Sequence, residues 1–153
     1  TMAFDGESAW WTNPQSGAAE EMPADQAEEI IRLARGNDII LNPDKHGITY
    51  EMKEKETLEG KEYYVLEQSF PDGFKMTMYI DAQTYLPYKS VSKQIQMGVE
   101  VEAEAFLSDW KKVEGIMTAH TNKIYQNGEE VMTMAFTEVK YNTGIEDSLF
   151  KMD

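Results

Sequence analysis

Few kinds of side chain in this sequence could catalyse a reaction or bind a metal ion. His46 and His120 are the only histidines, and they do not form the H-E-x-x-H spacing that binds zinc on a helix. The sequence has no cysteine and no G-x-S-x-G turn, so it indicates no activated nucleophile. We interpret His120, in Ala119-His120-Thr121, as structural. An enzyme would need this histidine beside a carboxylate, and the sequence predicts no catalytic residue and no enzyme.

Three carboxylates, Glu100, Glu102 and Glu104, recur at every second position. Calcium ligands normally converge from a tight loop with a glycine turn, whereas these three residues follow a predicted strand. We interpret them as a solvated face and predict no metal and no other cofactor. With 28 acidic residues in the chain, a pair of carboxylates could always be assembled, so such pairs do not indicate glycoside chemistry.

The charge of the chain limits its partners. Its 153 residues include 14 basic and 28 acidic side chains, which give a formal net charge of -14 at pH 7. Such a protein would repel nucleic acid and anionic lipid over most of its surface, so no nucleic-acid partner is predicted. No apolar run is long enough for a transmembrane segment. The first residues lack the pattern of a signal peptide, and we interpret the sequence as an N-terminally trimmed fragment.

One amphipathic helix is predicted at about 24–35. Pro23 suits the start of a helix, and Gly36 suits its left-handed end. Acidic residues lie near the start and basic residues near the end, as the helix dipole favours. The apolar stripe has the spacing i, i+3, i+4, i+7 and consists of Ala27, Ile30, Ile31 and Ala34.

The rest of the chain is predicted to form about eight antiparallel strands in a meander, within a single domain over 1–153. Apolar and polar residues alternate, and the breaks carry turn-forming pairs. There is no βαβ alternation and no G-x-G-x-x-G, which excludes a nucleotide-binding parallel sheet. The predicted turns are Asp5-Gly6, Glu59-Gly60-Lys61, Pro71-Asp72-Gly73, Asp81-Ala82-Gln83-Thr84, Gln96-Met97-Gly98, Glu114-Gly115 and Gln126-Asn127-Gly128.

The alternation predicts a sheet with one apolar face. Small alanines opposite methionines would leave room on this face, and ten methionines suit a surface that re-packs around apolar ligands. Periodicity alone favours an ordinary core, but one short helix could cover little of such a sheet, so a ligand cavity stays open as an alternative. The residues of this face are Phe74, Met76, Met78 and Ile80, then Val99, Val101, Ala103 and Ala105, and then Met132, Met134 and Phe136.

The adjacent Trp10 and Trp11 allow two interpretations of their role. A strand would turn one ring inward and the other outward. Packing is the default role for each, and bordering a binding cleft is the alternative.

Several segments carry a family resemblance through their order along the chain. They are 4–14 (FDGESAWWTNP), the helix after Met22-Pro23, 79–87 (YIDAQTYLP), 106–116 (FLSDWKKVEGI) and 142–150 (NTGIEDSLF). Together they resemble the bacterial outer-membrane lipoprotein-sorting family, the LolA/LolB-like periplasmic carriers and receptors. The chain departs from the family where Ala119 stands in place of an expected proline, so the resemblance is to a divergent member, truncated at its N-terminus.

The resemblance implies a mainly β fold, a curved antiparallel sheet or unclosed half barrel with the helix at 24–35 as a cover. It also implies that 1–153 is the later part of such a domain, in the periplasm or cell envelope. The partner would be the acyl chains of a lipoprotein or another lipid, bound without chemistry. The apolar groove for them is predicted to be lined by Leu66, Phe74, Met76, Met78, Val101, Ala103, Met132, Met134 and Phe136.

The same fold allows a second function from a different class. An envelope sensor or protein-interaction module would bind envelope proteins and carry no lipid. It predicts a filled interior and an exposed apolar patch in place of a groove.

Overall fold

Antiparallel strands make up most of the elements in the computed structural model, which describes residues 1–96 and 99–152. The chain divides into two units, one formed by Thr1–Pro43 with Asn142–Asp153 and the other by Asp44–Tyr141. The interpretation of 1–153 as one domain stays a prediction. No helix in the described residues is long and apolar enough to cross a membrane.

The first unit combines a small sheet with the helices. Its strands pair antiparallel in the order β1-β2-β3, and its C-terminal part ends in a 3-10 turn at Asp147–Phe150. The indole N–H of Trp10 donates a 2.7 Å hydrogen bond to the carbonyl oxygen of Phe150, which joins the two ends of the chain. The elements are β1 (Met2–Phe4), β2 (Ala9–Thr12), β3 (Ala19–Glu21), α1 (Ala24–Arg35) and α2 (Asn37–Leu41).

Helix α1 confirms the predicted helix at both ends. Pro23 is its N-cap and Gly36, at φ +45°, ends it with a backbone N–H bonded to the Leu33 carbonyl oxygen. The sequence analysis did not predict α2, which follows Gly36 directly and buries Ile39. A helix of five residues spans little more than one turn, so its hydrophobic spacing cannot be told from a short apolar run.

The second unit is one eight-stranded antiparallel sheet, and it confirms the meander. Its strand order is β11-β10-β9-β8-β7-β6-β4, with β5 also pairing with β6. Among the described residues the end strands β4 and β11 do not pair with each other, so the sheet is not closed. Its strands are β4 (Thr49–Met52), β5 (Glu56–Leu58), β6 (Lys61–Ser69), β7 (Lys75–Asp81), β8 (Pro87–Gln96), β9 (Val99–Val113), β10 (Ile116–Gln126) and β11 (Glu129–Ala135).

The described strands number eleven where the sequence indicated about eight. The strands β1 to β5 have only three or four residues, which is too short for alternation to be recognised. The predicted hairpin turns at Glu59-Gly60, Glu114-Gly115 and Asn127-Gly128 have positive φ at both residues, as type I′ hairpin turns require. The predicted turn at Gln96-Met97-Gly98 includes Met97 and Gly98, which lie outside the described residues.

Candidate functional site

A row of directly opposed residues crosses seven strands of the large sheet. Each register pair brings two side chains to the same side, because directly opposite residues of an antiparallel pair share a face. We call this side of the sheet the apolar face. From β4 to β11 the row is Met52, Leu66, Met78, Ser90, Ala105, Ile124 and Met132.

The nine residues predicted to line a groove lie on or next to this apolar face. Register or alternation within a strand places seven of them on it: Leu66, Met76, Met78, Val101, Ala103, Met132 and Met134. Phe136 follows β11 directly, and its N–H donates to the carbonyl oxygen of His120, which continues the register. Phe74 lies just before β7 at the hairpin end, with its ring 5.4 Å from that of Phe70. Whether these residues bind a ligand stays a prediction.

The middle of the apolar face is lined by small side chains. Ser90 opposes Ala105, and Ser92 opposes Ala103, on the adjacent strands β8 and β9. We call these four residues the central floor. Larger side chains border it, with Met76 and Met78 on β7 and Ile124 on β10. The bordering strands are three strand spacings apart, about 14 Å, so the floor forms a shallow trough along the strands.

The second unit supplies no second layer for this face. Apart from turns and the segment 136–141 after β11, its described residues form one sheet and part of a 3-10 turn at Pro43–His46. The apolar residues are half-buried in the middle of the sheet, and towards its β11 edge Met132 is 51% exposed and Phe136 is 47% exposed. A cavity of about 420 Å³ lies beside Phe136, lined also by Thr118, Ala119, Glu138, Val139 and Lys140.

The sequence analysis missed part of this surface. Ser90, Ser92, Leu107, Asn122 and Ile124 share the apolar face with the predicted residues. The serines are polar, and Asn122 interrupts an apolar alternation. The pattern of apolar residues therefore does not indicate these three positions. Only the register shows that they complete the surface between the methionines.

The opposite face carries charges and stacked rings. Glu104 and Lys89 form a partly buried ion pair at 3.1 Å, and Glu100 pairs with Lys93 at 2.9 Å. The prediction of a solvated glutamate face is therefore wrong for Glu104, because the rings of this face shield the Lys89–Glu104 pair. The Nζ of Lys89 lies 4.8 Å from the ring centre of Tyr79 and 5.6 Å from that of Phe106.

Aromatic rings extend this second face across the sheet. Tyr88 stacks on Tyr63 at 4.9 Å between ring centres and meets Phe106 edge-on, and Phe106 meets Tyr125 in the same way. Burial raises the pKa of Tyr63, and the hydrogen bond to Glu130 raises the pKa of Tyr125. Tyr63 and Val65, which are buried, belong to this face, so the best-buried apolar side chains of β6 point away from the predicted lining residues.

The two histidines lie in different surroundings. His120 is buried, at 6% exposure, and its Nδ1 donates a 3.1 Å hydrogen bond to the carbonyl oxygen of Thr118. His46 lies at the end of the 3-10 turn. The partner of His120 Nδ1 is thus a backbone carbonyl oxygen.

A buried amide near the β4 edge of the apolar face has a hydrogen-bond partner. Gln68, at 2% exposure, donates from Nε2 to the hydroxyl of Tyr50 at 2.8 Å. Burial raises the pKa of Tyr50. These two residues are opposed in the β4–β6 register, so the polar group on this part of the face is satisfied by its neighbour.

Solved structures share this fold. An outer membrane lipoprotein-sorting protein domain from Vibrio parahaemolyticus has a TM-score of 0.67 and 16% identity, over 94% of this chain and 63% of its own. A DUF1329 family protein from Desulfovibrio piger has a TM-score of 0.66 and 17% identity, over 94% and 62%. A LolA superfamily protein from Nitrosomonas europaea has a TM-score of 0.58 and 15% identity, over 98% and 69%.

The family follows from the sequence. A family model described as "Uncharacterized protein" matches residues 32–153, which is most of the chain, and the chain belongs to that family. No curated protein matches the sequence. The chain spans less than two thirds of the length of the first two structures that share its fold.

Proposed function

We propose that this protein binds lipid acyl chains on its apolar face, without chemical turnover, as a lipid or lipoprotein carrier of the bacterial cell envelope. The observation that carries the proposal is the unbroken row from Met52 to Met132, whose middle is the small central floor. The fold that the chain shares with a lipoprotein-sorting domain supports the proposal of a carrier. Periplasmic location is part of the same proposal.

The energetics suit a carrier that must release its cargo. Burying about ten CH₂ groups at ~0.8 kcal/mol each contributes about 8 kcal/mol. Association costs several kcal/mol, which leaves reversible binding. Flexible methionines along the border of the central floor can adapt to chains of different shape.

Filling the central floor should block binding. In Ala105→Trp the indole would occupy the trough between Met78 and Ile124, and the affinity for a fluorescent fatty acid such as cis-parinaric acid should fall at least tenfold. The loss follows because the acyl chain can no longer contact the floor and both borders. The measurement is a fluorescence titration of purified protein.

The matched control is Glu102→Trp, which adds the same side chain to the opposite face of the same strand, at an exposed position. Its binding should equal that of the wild type. Ala103→Leu, a smaller filling of the same floor, serves if Ala105→Trp does not fold. Unchanged binding in a folded floor variant, or equal loss in Glu102→Trp, would contradict the placement.

A further inference from the structure

Asn122 is a polar residue within the apolar face. It lies on β10 between Leu107 on β9 and Met134 on β11, each its direct register partner. Two residues further along β10 is Ile124, which belongs to the row that crosses the sheet. An amide in this position has apolar neighbours on both adjoining strands.

The side-chain oxygen of Asn122 is unsatisfied. Among the described residues it is the buried side-chain polar atom that has no hydrogen-bond partner. A buried acceptor without a donor costs free energy, whereas the buried amide of Gln68 on the same face has its partner in Tyr50. A hydrogen-bond donor from a bound ligand would remove that cost.

The surroundings of Asn122 leave room for such a donor. The neighbouring row pairs His120 with Phe136, and Phe136 borders the cavity of about 420 Å³. Rows on one face of a strand are about 7 Å apart, so a group in the cavity is within a short reach of Asn122. Met134, opposite Asn122, has three rotatable bonds and can move aside.

His120 lies two residues before Asn122 on β10, on the same face of the strand. Its Nδ1 donates to the carbonyl oxygen of Thr118, so this ring nitrogen has no proton left to offer to Asn122. The Asn122 oxygen therefore stays an acceptor that a donor of the ligand could engage. A ligand that brings only acceptors gains no hydrogen bond from this oxygen, and the net charge of -14 disfavours anions in general.

We propose that Asn122 determines which acyl lipids bind, by accepting a hydrogen bond from a donor in the ligand's headgroup. The inference rests on the proposed function. The preferred ligands carry an amide N–H or a hydroxyl next to the acyl chain. Lipids whose headgroup has acceptors alone, such as an ester or a fatty-acid anion, bind more weakly.

The test compares headgroups on one chain length. Dodecanamide, 1-dodecanol, methyl dodecanoate and dodecanoate each displace a fluorescent acyl probe from the wild type, from Asn122→Leu and from the control Asn37→Leu, which alters an exposed residue of α2. The wild type and the control should bind the amide and the alcohol about tenfold more tightly than the methyl ester. In Asn122→Leu this preference should disappear, while the methyl ester binds as before.

Each outcome decides the proposal. Equal affinities in the wild type, or a preference that persists in Asn122→Leu, would overturn it while leaving acyl binding intact. If none of the four lipids displaces the probe, or the probe itself does not bind, the proposed function falls and the inference falls with it. A purely structural role for Asn122 would change the melting temperature of Asn122→Leu without changing the order of the ligands.

Discussion

Met78→Glu is expected to abolish acyl-chain binding, with a loss of at least a hundredfold in affinity. Met78 occupies the row that crosses the sheet, between Leu66 and Ser90, at the border of the central floor. A bound chain would cover the new carboxylate with hydrocarbon, and burying an unpaired charge costs several kcal/mol. Titration with a fluorescent fatty acid measures the loss, and circular dichroism with a thermal melt shows that the sheet persists.

Two variants separate the effect of the charge from that of the position. Met78→Leu keeps an apolar side chain of similar volume and should bind within about threefold of the wild type. Met117→Glu makes the same chemical change on the other face of the sheet. Met117 is exposed there, and its register partner on β9 is Lys112. Wild-type affinity in a folded Met78→Glu protein would remove the apolar face as the binding surface, since no acyl chain could lie there without covering the charge.

Trp10→Ala is expected to destabilise the first unit by about 3–5 kcal/mol, the usual cost of removing a buried tryptophan. Trp10, in β2, is 8% exposed, and its indole N–H donates a 2.7 Å hydrogen bond to the carbonyl oxygen of Phe150. The change therefore leaves a cavity and releases the C-terminal 3-10 turn from the β1-β2-β3 sheet. Hydrogen exchange should show lost protection in that sheet and at residues 147–151, and denaturant unfolding gives the magnitude.

Trp10→Phe distinguishes the hydrogen bond from the packing. It keeps an aromatic ring but removes the donor, so it should cost about 1 kcal/mol and still raise exchange at 147–151. Trp11→Ala is the neighbouring control, since Trp11 points to the other side of β2 and is only half-buried. If Trp11→Ala destabilised the unit more than Trp10→Ala, the assignment of Trp10 as its inward anchor would be wrong.

Local signals were enough to predict much of this fold. The helix was found to the residue because Pro23 and Gly36 mark its ends and the apolar stripe spans three turns. The hairpin turns were found because pairs such as Asn127-Gly128 tolerate positive φ. The short strands and α2 were missed or undercounted, because three to five residues give too few positions for a period to emerge.

The candidate lining was predicted in part. Apolar residues at every second position indicated the apolar side of three strands, with methionines in β7 and β11 and valines and alanines in β9. The register places these residues on one face. Ser90, Ser92 and Asn122 gave no such signal, since their side chains are polar. Their place in the surface depends on which residues of neighbouring strands stand opposite them.

The sequence alone predicts helix α1, the antiparallel meander of the long strands, and an apolar and a polar side for β7, β9 and β11. These properties arise from residues close together along the chain, where turn geometry and a period of two act directly. The tertiary structure alone decided that Ser90, Ser92, Ala103 and Ala105 meet in one floor, that Trp10 joins the two chain ends, and that the Asn122 oxygen is buried without a partner. Such features depend on register and packing between distant segments, which no local pattern encodes.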